Sequence, residues 1–423
     1  MSTSEQYISQ LVRKLRETGP VVLLESQMQD HPASTKSYLA ANPVEWIKAW
    51  GNRIQVQKRE ETASFEANAW EAFQAFKEEA QDWLFGYFGY DMKNSLEDLH
   101  SENNELVEAP DLFFMNPGLL LEIKLDGKIR VIKGEMPDIT QIPQFSGFKV
   151  HPGKRIDKNK YMNLIDQAKK DIYEGKYYEI NLSHALEFSF DGEPFELYQA
   201  MKKAGPVPFG GYIHMDGIDI CSASPERFLA RNGSRVWSQP IKGTASRQEE
   251  SDHSLINLKE SEKERAENLM IVDLVRNDLS RIAMKNSVKV SNLFEIQSFE
   301  TVHQMVSTVE CRVEETVKSL EVIKACFPMG SMTGAPKIAA MKAIEHYEDY
   351  KRGIYSGAIG YFRPDDDFDF NVVIRTALIQ GNRLCYPVGG AITSDSDPAA
   401  EWEETWVKAK AITNILQNER KPE

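Results

Sequence analysis

"DKNKYMNLIDQAKKDIYEGKYYEINLSHALEFSF", Asp157 to Phe190, changes its period midway. Helical spacing of apolar residues gives way, after the turn residue Gly175, to a strand. Downstream, "GGYIHM" (210–215), "DICSASPERFLAR" (219–231) and "SRVWSQPI" (234–241) read as short β segments. A long helix is expected over about Asn257 to Ala283, with Leu269, Val272, Val275, Leu279 and Ile282 on one face. Strands in "SFETVHQMVSTVECRV", "GAIGYF", "FNVVIRTALI" and "RLCYPVGGAI" follow, and a last helix begins near Ala399. Upstream, residues 58–110 are polar and helix-rich around an aromatic "LFGYFGYD" at 84–91, and two strands come after them. Strands arrive in runs joined by hairpin-like turns, with helices grouped between them. The fold class this predicts is α+β, with a largely antiparallel sheet.

A proline-bearing passage near Ile142 to Pro152 is the expected boundary between an N-terminal region, 1–150, and a catalytic region, 151–418. With 423 residues there is ample chain for a sizeable core. No stretch approaches the roughly 18 unbroken apolar residues of a membrane span, and the N-terminus lacks the apolar core of a signal peptide. A cytoplasmic protein with no membrane partner is expected. Cys221, Cys311, Cys326 and Cys385 show no metal-ligand spacing and read as core thiols. The formal net charge of −14 opposes binding to nucleic acid. For an anionic ligand the positive charge must be local.

Two acidic pairs stand at helical spacing, Glu264 with Glu267 and Glu401 with Glu404. Three residues apart, each pair repels unless something positive lies between its members. A divalent cation such as Mg2+ would remove that cost, binding one or two carboxylates together with water and an anionic substrate. The plain alternative is two solvated helix faces, with Lys263 pairing to Glu267. The loop "PMGSMTGAPKIAAMKAI" fails the spacing of a phosphate-binding P-loop and reads as a glycine turn into a helix. Arg375 falls in the apolar run "NVVIRTALI", where a charge needs an anion or an internal salt bridge. Glu226 in "SASPERFL" is a candidate acid, its pKa raised by apolar neighbours, unless Arg227 pairs with it. His303 in "TVHQMVS" is as readily a satisfied core residue as a catalyst.

Taken together, "SPERF", "PIKGTASR", "KERAENLMIVDLVRNDLSRI", "TGAPK", "GIYSGAIGYF", "IRTALI" and "GGAITSDSDPAAEWEETWVKA" resemble the chorismate-utilising enzymes, in order from about residue 155 to 415. "LFGYFGYD" and "VVLLES" extend the resemblance weakly toward the N-terminus. That family comprises the large subunits of anthranilate and aminodeoxychorismate synthases, with isochorismate and salicylate synthases as relatives. The resemblance implies a two-domain α/β sandwich with helices outside and one site between the layers for chorismate and Mg2+. It further implies that Glu267 and Glu404 ligate the metal, with Glu264 and Glu401 behind them or reaching through water. Lys408 would meet the ring carboxylate. Tyr355 and Arg375 would hold the enolpyruvyl carboxylate beside the amides of Gly390 and Ala391, and Glu226 would protonate the departing C4 hydroxyl. Thr244 and His303 complete the candidate catalytic residues.

In "PIKGTASR" the family resemblance separates two activities. Anthranilate synthases carry alanine where this chain has Lys242, whereas aminodeoxychorismate synthases carry lysine, whose amine can attack C2 of chorismate before ammonia adds at C4. A lysine of ordinary pKa is only about 0.04% neutral at pH 7, so desolvation is expected to lower Lys242 by roughly three units. Glu179 stands where isochorismate-forming relatives carry lysine and ammonia users usually carry glutamine, which weakens the isochorismate reading. The sequence contains no G-x-C-x-G loop of a glutaminase, so ammonia is expected from a separate amidotransferase subunit. Anthranilate synthase is the alternative reading. A sensor that binds chorismate or tryptophan without turnover is a remoter one, and "VVLLES" reads as an ordinary buried strand.

Overall fold

A computed structural model describes residues 3–28, 36–59, 61–138, 147–246, 253–298 and 302–418. Among these, 21 strands form one hydrogen-bonded network in which every pairing is antiparallel. The only parallel pair among the described residues is a separate one between Asn104–Glu105 and Tyr350–Lys351. The α+β expectation holds. Helix, glycine turn and strand in the 157–190 stretch are Lys158–Tyr173, capped by the Asp157 side chain, Gly175 in the left-handed region, and Glu179–Gly192.

Two pairs of long strands give the network its corners. Ile218–Ser224 and Arg227–Asn232 are halves of one strand that bends at Pro225 and Glu226. Thr376–Gln380 and Phe368–Val372 are halves of its neighbour, bending at residues 373–375. Pairing keeps one register across the bend, from Ser222 opposite Thr376 to Arg227 opposite Asn371. Ala223 N donates to Arg375 O at 3.1 Å and Val372 N to Glu226 O at 3.0 Å within it. Lys36–Trp50 and Leu112–Lys124 form the second corner, where register shifts between Pro43 and Glu45. Strands that bend in this way pass from one sheet to the next and make two packed layers out of one network.

The space between the layers is filled from strands of both, Val22, Tyr38, Ile213 and Ile220 with Phe85, Tyr87, Phe113 and Ile359. Helices cover the outer faces. Ala69–Ala80 and Glu262–Ser280 pack on one, Thr3–Leu15 and Pro194–Ala204 on the other. Burying a large apolar side chain contributes about 1.5–3 kcal/mol, so these four clusters carry the fold. Packing runs across the expected boundary at residue 150. Leu84–Phe88 pairs with Ala358–Phe362, Val21–Glu25 with Phe209–Met215, and Phe148–Pro152 is itself a strand against Glu179–Gly192. Part of that boundary passage, residues 142–146, lies outside the described residues.

Several expectations are corrected. The single helix over 257–283 is two, His253–Glu260 and Glu262–Ser280, because Ser261 turns extended and its side chain accepts from Glu264 N. Leu269, expected on the buried face, is 45% exposed, and Asn268 and Asp278 are buried in its stead. Residues Glu61–Glu66, read as helical, form an exposed strand against Arg53–Lys58. All four cysteines are free and buried, as expected. Among the described residues no helix is long and apolar enough to cross a membrane.

Candidate functional site

The first bend carries two charged residues into the interior. Glu226 is 5% exposed and lines a small cavity with Phe228, Ile271, Val275 and Met329. Ser331 Oγ donates to its Oε1 at 2.7 Å. Arg227 does not pair with it, because that guanidinium is bidentate on Asp369, at 2.9 Å for each bond. Burial pushes the Glu226 carboxyl up to about 7, against the opposing pull of Ser331, Lys242 and Arg375. Arg375 is not inside a strand as the sequence suggested. It occupies the break between two strands with φ of 52°, the left-handed region that side-chain-bearing residues rarely adopt. Its guanidinium has no hydrogen bond or ion pair among the described residues, and burial lowers its pKa while Tyr386 and Glu226 hold it up. A cation so placed is a ready site for an anion.

Lys242 comes from the far end of the network, on Ile241–Ser246. Gly243, directly after it, has φ of 86°, and a Cβ there would stand 2.9 Å from Oε2 of Glu264. Glycine therefore lets the strand pass the acidic helix while Lys242 turns inward. The lysine side chain is 11% exposed, and Nζ lies 3.0 Å from Oε1 of Glu179, which is 1% exposed. Glu179 begins the strand at the other end of the network, so the pair closes one end of the sheet on the other. Its second oxygen, Oε2, is buried without a hydrogen-bond partner among the described residues. Burial by itself would lower the lysine's pKa, but Glu179, Glu267 and Glu404 outweigh it and hold the amine above its ordinary value. The expected depression of Lys242 is thus corrected. Three carboxylates, not apolar walls, set its charge.

The two acidic helices face one another. Glu262–Ser280 is capped by Ser261 and Pro398–Lys408 by Asp397, with Pro398 in its first turn. Lys263 lies between them, 3.8 Å from Oε1 of Glu267 and 3.4 Å from Oε1 of Glu401. Ser396 Oγ donates to the same Glu401 oxygen at 2.8 Å. Lys408 Nζ sits 2.7 Å from Glu404 Oε1 and 3.0 Å from Gly389 O. Burial pushes Glu267 up to about 7 and Glu264 above its ordinary value, whereas the charge of Lys408 lowers Glu404.

Whether these residues suit Mg2+ can be tested on their geometry. Among the described residues no three carboxylates stand at the spacing of a closed metal cage. Mg2+ does not need one, since it binds through one or two carboxylates and keeps water or an anionic ligand elsewhere. Two observations fit it. Oε1 of Glu267 is buried with no hydrogen-bond partner. A Cβ on Gly390 would meet Glu401 Oε2 at 3.4 Å, Lys408 Nζ at 3.6 Å and Glu404 Oε1 at 3.8 Å, so glycine keeps open the space these groups border.

The strands Thr376–Gln380 and Arg383–Ile392 pair only as far as Leu378 opposite Cys385, then part. Asn181 N donates to Thr333 O and Asn181 O accepts from Arg352, so the backbone of Asn181 faces away from Ala391, its partner across the ladder. In such a non-hydrogen-bonded pair Ala391 also turns its N–H outward, into the parting. The amide of Gly390, one residue earlier, belongs to the ladder. Tyr355 is buried, and burial raises its phenol above the ordinary value. His303 is buried in Val302–Arg312 with Nδ1 2.8 Å from Ser298 Oγ. Thr244 pairs through its backbone with Gln304, and its side chain lies outside the described set, as does Arg247.

Sequence reasoning missed three participants. Ser331 belongs to the loop read as a simple glycine turn. Tyr386, whose buried hydroxyl has no hydrogen-bond partner among the described residues, lies close enough for its charge state to couple to Arg375. Arg352 is buried on both oxygens of Glu348 and on the carbonyls of Met332 and Asn181, bracing the strand that carries Glu179.

Comparison with known proteins gives these residues a family. The model of a chorismate binding enzyme matches residues 19–414. An aminodeoxychorismate synthase of Streptomyces griseus is 45% identical over 267 residues, covering 62% of this chain but 37% of that protein, so the chain spans little more than a third of its length. Aminodeoxychorismate synthase component 1 of Escherichia coli K12 is 28% identical over 422 residues, 94% of this chain and 93% of that one. The crystal structure of anthranilate synthase component I from Streptococcus pneumoniae superposes with a TM-score of 0.78 at 27% identity, over 91% of this chain and 93% of its own. With the family model matched across nearly its whole length, this chain belongs to the chorismate-binding enzymes.

Proposed function

We propose that the protein aminates chorismate to 4-amino-4-deoxychorismate, as the large subunit of a cytoplasmic aminodeoxychorismate synthase that feeds p-aminobenzoate and folate synthesis. The observation that carries this is the buried Lys242 amine, held 3.0 Å from Glu179 and within the electrostatic reach of Glu226. In the proposed reaction, neutral Nζ bonds to C2 of chorismate while the C4–O bond breaks. Glu226, whose burial keeps a substantial protonated fraction up to about pH 7, gives its proton to the departing hydroxyl, which leaves as water. Ammonia then bonds to C4, the C2–N bond breaks, and the new ammonium returns a proton to Glu226.

Arg375, Tyr355 and the amide of Ala391 would receive the enolpyruvyl carboxylate in the parting between the two strands. Glu267 and Glu404 would hold Mg2+, backed by Glu264 and Glu401, and the ion would supply positive charge to the ring carboxylate beside Lys408. Ammonia would come from a separate glutaminase subunit, in keeping with the component 1 name of the Escherichia coli relative.

The second reading is anthranilate synthase component I, favoured by the similarity in shape to the Streptococcus pneumoniae crystal structure. Its chemistry expels pyruvate, whereas the proposed product keeps the enolpyruvyl group. Incubation of the purified protein with chorismate, Mg2+ and an ammonium salt separates the two. Retention of the enolpyruvyl mass in an aminated product supports the amination reading, and direct appearance of fluorescent anthranilate rejects it.

A further inference from the structure

Covalent attack requires a neutral Lys242, yet the surrounding carboxylates favour its ammonium, so a proton acceptor must stand beside it. The geometry points to Glu179. We propose that Glu179 is the catalytic base that takes the Nζ proton of Lys242 before attack and returns it when the lysine is released. The proposal rests on the covalent reading above and adds a residue to it.

Three observations place the proton path. Oε1 of Glu179 accepts from Nζ at 3.0 Å, a direct hydrogen bond with no group between. Oε2 is buried and has no hydrogen-bond partner among the described residues, none of which therefore competes as a donor on that side. The two residues also start from opposite ends of the strand network, and Glu179 is fixed by pairing with Ala335 on one side and by the Arg352 contact to Asn181 on the other. Of the other charged groups around Lys242, Glu264, Glu267 and Glu404 come from the two acidic helices and Glu226 from the bend. Glu226 is committed to the C4 oxygen, and none of the three helix carboxylates accepts a hydrogen bond from Nζ.

The protons balance. Transfer within the pair gives neutral amine and neutral carboxyl from ammonium and carboxylate. The amine forms the C2–N bond, and the adduct nitrogen carries one positive charge. When ammonia displaces it, the amine leaves with its electron pair and recovers the proton from Glu179. Chorismate and ammonia have then become aminodeoxychorismate and water, with both side chains restored.

This arrangement has a kinetic signature. The reactive state is a tautomer of the ion pair, so the Lys242 step gives no pH dependence of its own while the pair holds one proton. In Glu179→Gln the lysine must instead lose its proton to solvent. The adduct-forming rate is expected to fall at least tenfold at neutral pH, and its ratio to the wild-type rate to rise about tenfold per pH unit above it, because ionisation of Glu226 slows both proteins alike. Glu179→Asp keeps a carboxylate and is expected to retain the pH profile of wild type at reduced rate.

The test measures formation of the chorismate-minus-water adduct on the intact protein, without ammonia, as a function of pH for wild type, Glu179→Gln, Glu179→Asp and Lys242→Ala. Chorismate affinity of each variant confirms an intact site. A Glu179→Gln profile with the rate and slope of wild type overturns the proposal, and so does a Glu179→Asp profile that slopes like Glu179→Gln. Full turnover by Lys242→Ala, with no adduct in the wild type, instead overturns the covalent reading beneath it. If Glu179→Gln fails to fold, the Glu179→Asp slope alone decides.

Discussion

Ser331 Oγ donates to Oε1 of Glu226 at 2.7 Å, joining residues 105 apart in the chain. The bond stabilises the ionised carboxylate and so opposes the rise that burial causes. Ser331→Ala removes it. A hydrogen bond to a charged group contributes about 1.5–3 kcal/mol, enough to move the carboxyl up by about one further pKa unit. In the proposed mechanism Glu226 is the acid, so activity would be lost as it ionises. The basic limb of the pH profile of kcat/KM is therefore expected to move about one unit upward in Ser331→Ala. A basic limb that stays in place would show that some other group sets it.

The same carboxyl makes a stability prediction. Its pKa is about 7 in the fold against 4.5 for the free side chain, so the folded chain binds the extra proton between those values. Its contribution is fully present below about pH 4.5 and is lost as pH rises through about 7, roughly 3 kcal/mol in all. Glu226→Gln lacks the ionising group and is expected to be the more stable protein above neutrality, by an amount that vanishes in acid. Denaturant melts of both proteins near pH 5 and near pH 8 measure this. An equal difference at the two pH values would contradict it.

What the sequence shows of the site is the residue types that stand out where they are. Lys242, Glu226 and the two acidic pairs interrupt apolar or helical patterns, and the fold gathers them. Ser331 carries no such mark, since a serine between Gly330 and Met332 looks like any loop residue until the bend brings Glu226 to it. The break at Arg375 was hidden because valine and isoleucine flank it, with no glycine or asparagine to announce a left-handed residue. Leu269 misled for the converse reason. An apolar count assigns the helix face, but the buried face of Glu262–Ser280 includes Asn268, whose Oδ1 accepts from Ser307 Oγ at 2.5 Å.

Arg375 joins backbone strain to an unpaired guanidinium, which separates stability from function. A left-handed conformation costs a side-chain-bearing residue about 1–2 kcal/mol that glycine does not incur. Arg375→Gly is expected to melt higher than Arg375→Ala by about 1 kcal/mol. Both are expected to bind chorismate at least about 30-fold more weakly, the loss of one charge-assisted hydrogen bond of about 2 kcal/mol. Thermal melts and chorismate titrations of the two variants check the pair. Unimpaired binding in either would remove Arg375 from the carboxylate site.

Gly389 and Gly390 are adjacent, yet their substitution is expected to do different things. A Cβ on Gly389 would lie 2.3 Å from Leu182 O and 2.6 Å from the Ser183 Cβ, and backbone in a paired strand cannot retreat. Gly389→Ala is expected to destabilise the protein by about 1–3 kcal/mol, the cost of overpacking. On Gly390 the new methyl would meet only side-chain ends, at 3.4 to 3.8 Å. Gly390→Ala is therefore expected to fold with stability within about 0.5 kcal/mol of wild type. Its methyl, however, enters the space bordered by Glu401, Glu404 and Lys408, where the cation and the ring carboxylate would lie. Turnover in Gly390→Ala should need a much higher Mg2+ concentration or disappear, while its melting temperature stays put. If its Mg2+ dependence matched wild type, the metal would have to bind elsewhere, and the assignment of Glu404 as a ligand would fall with it.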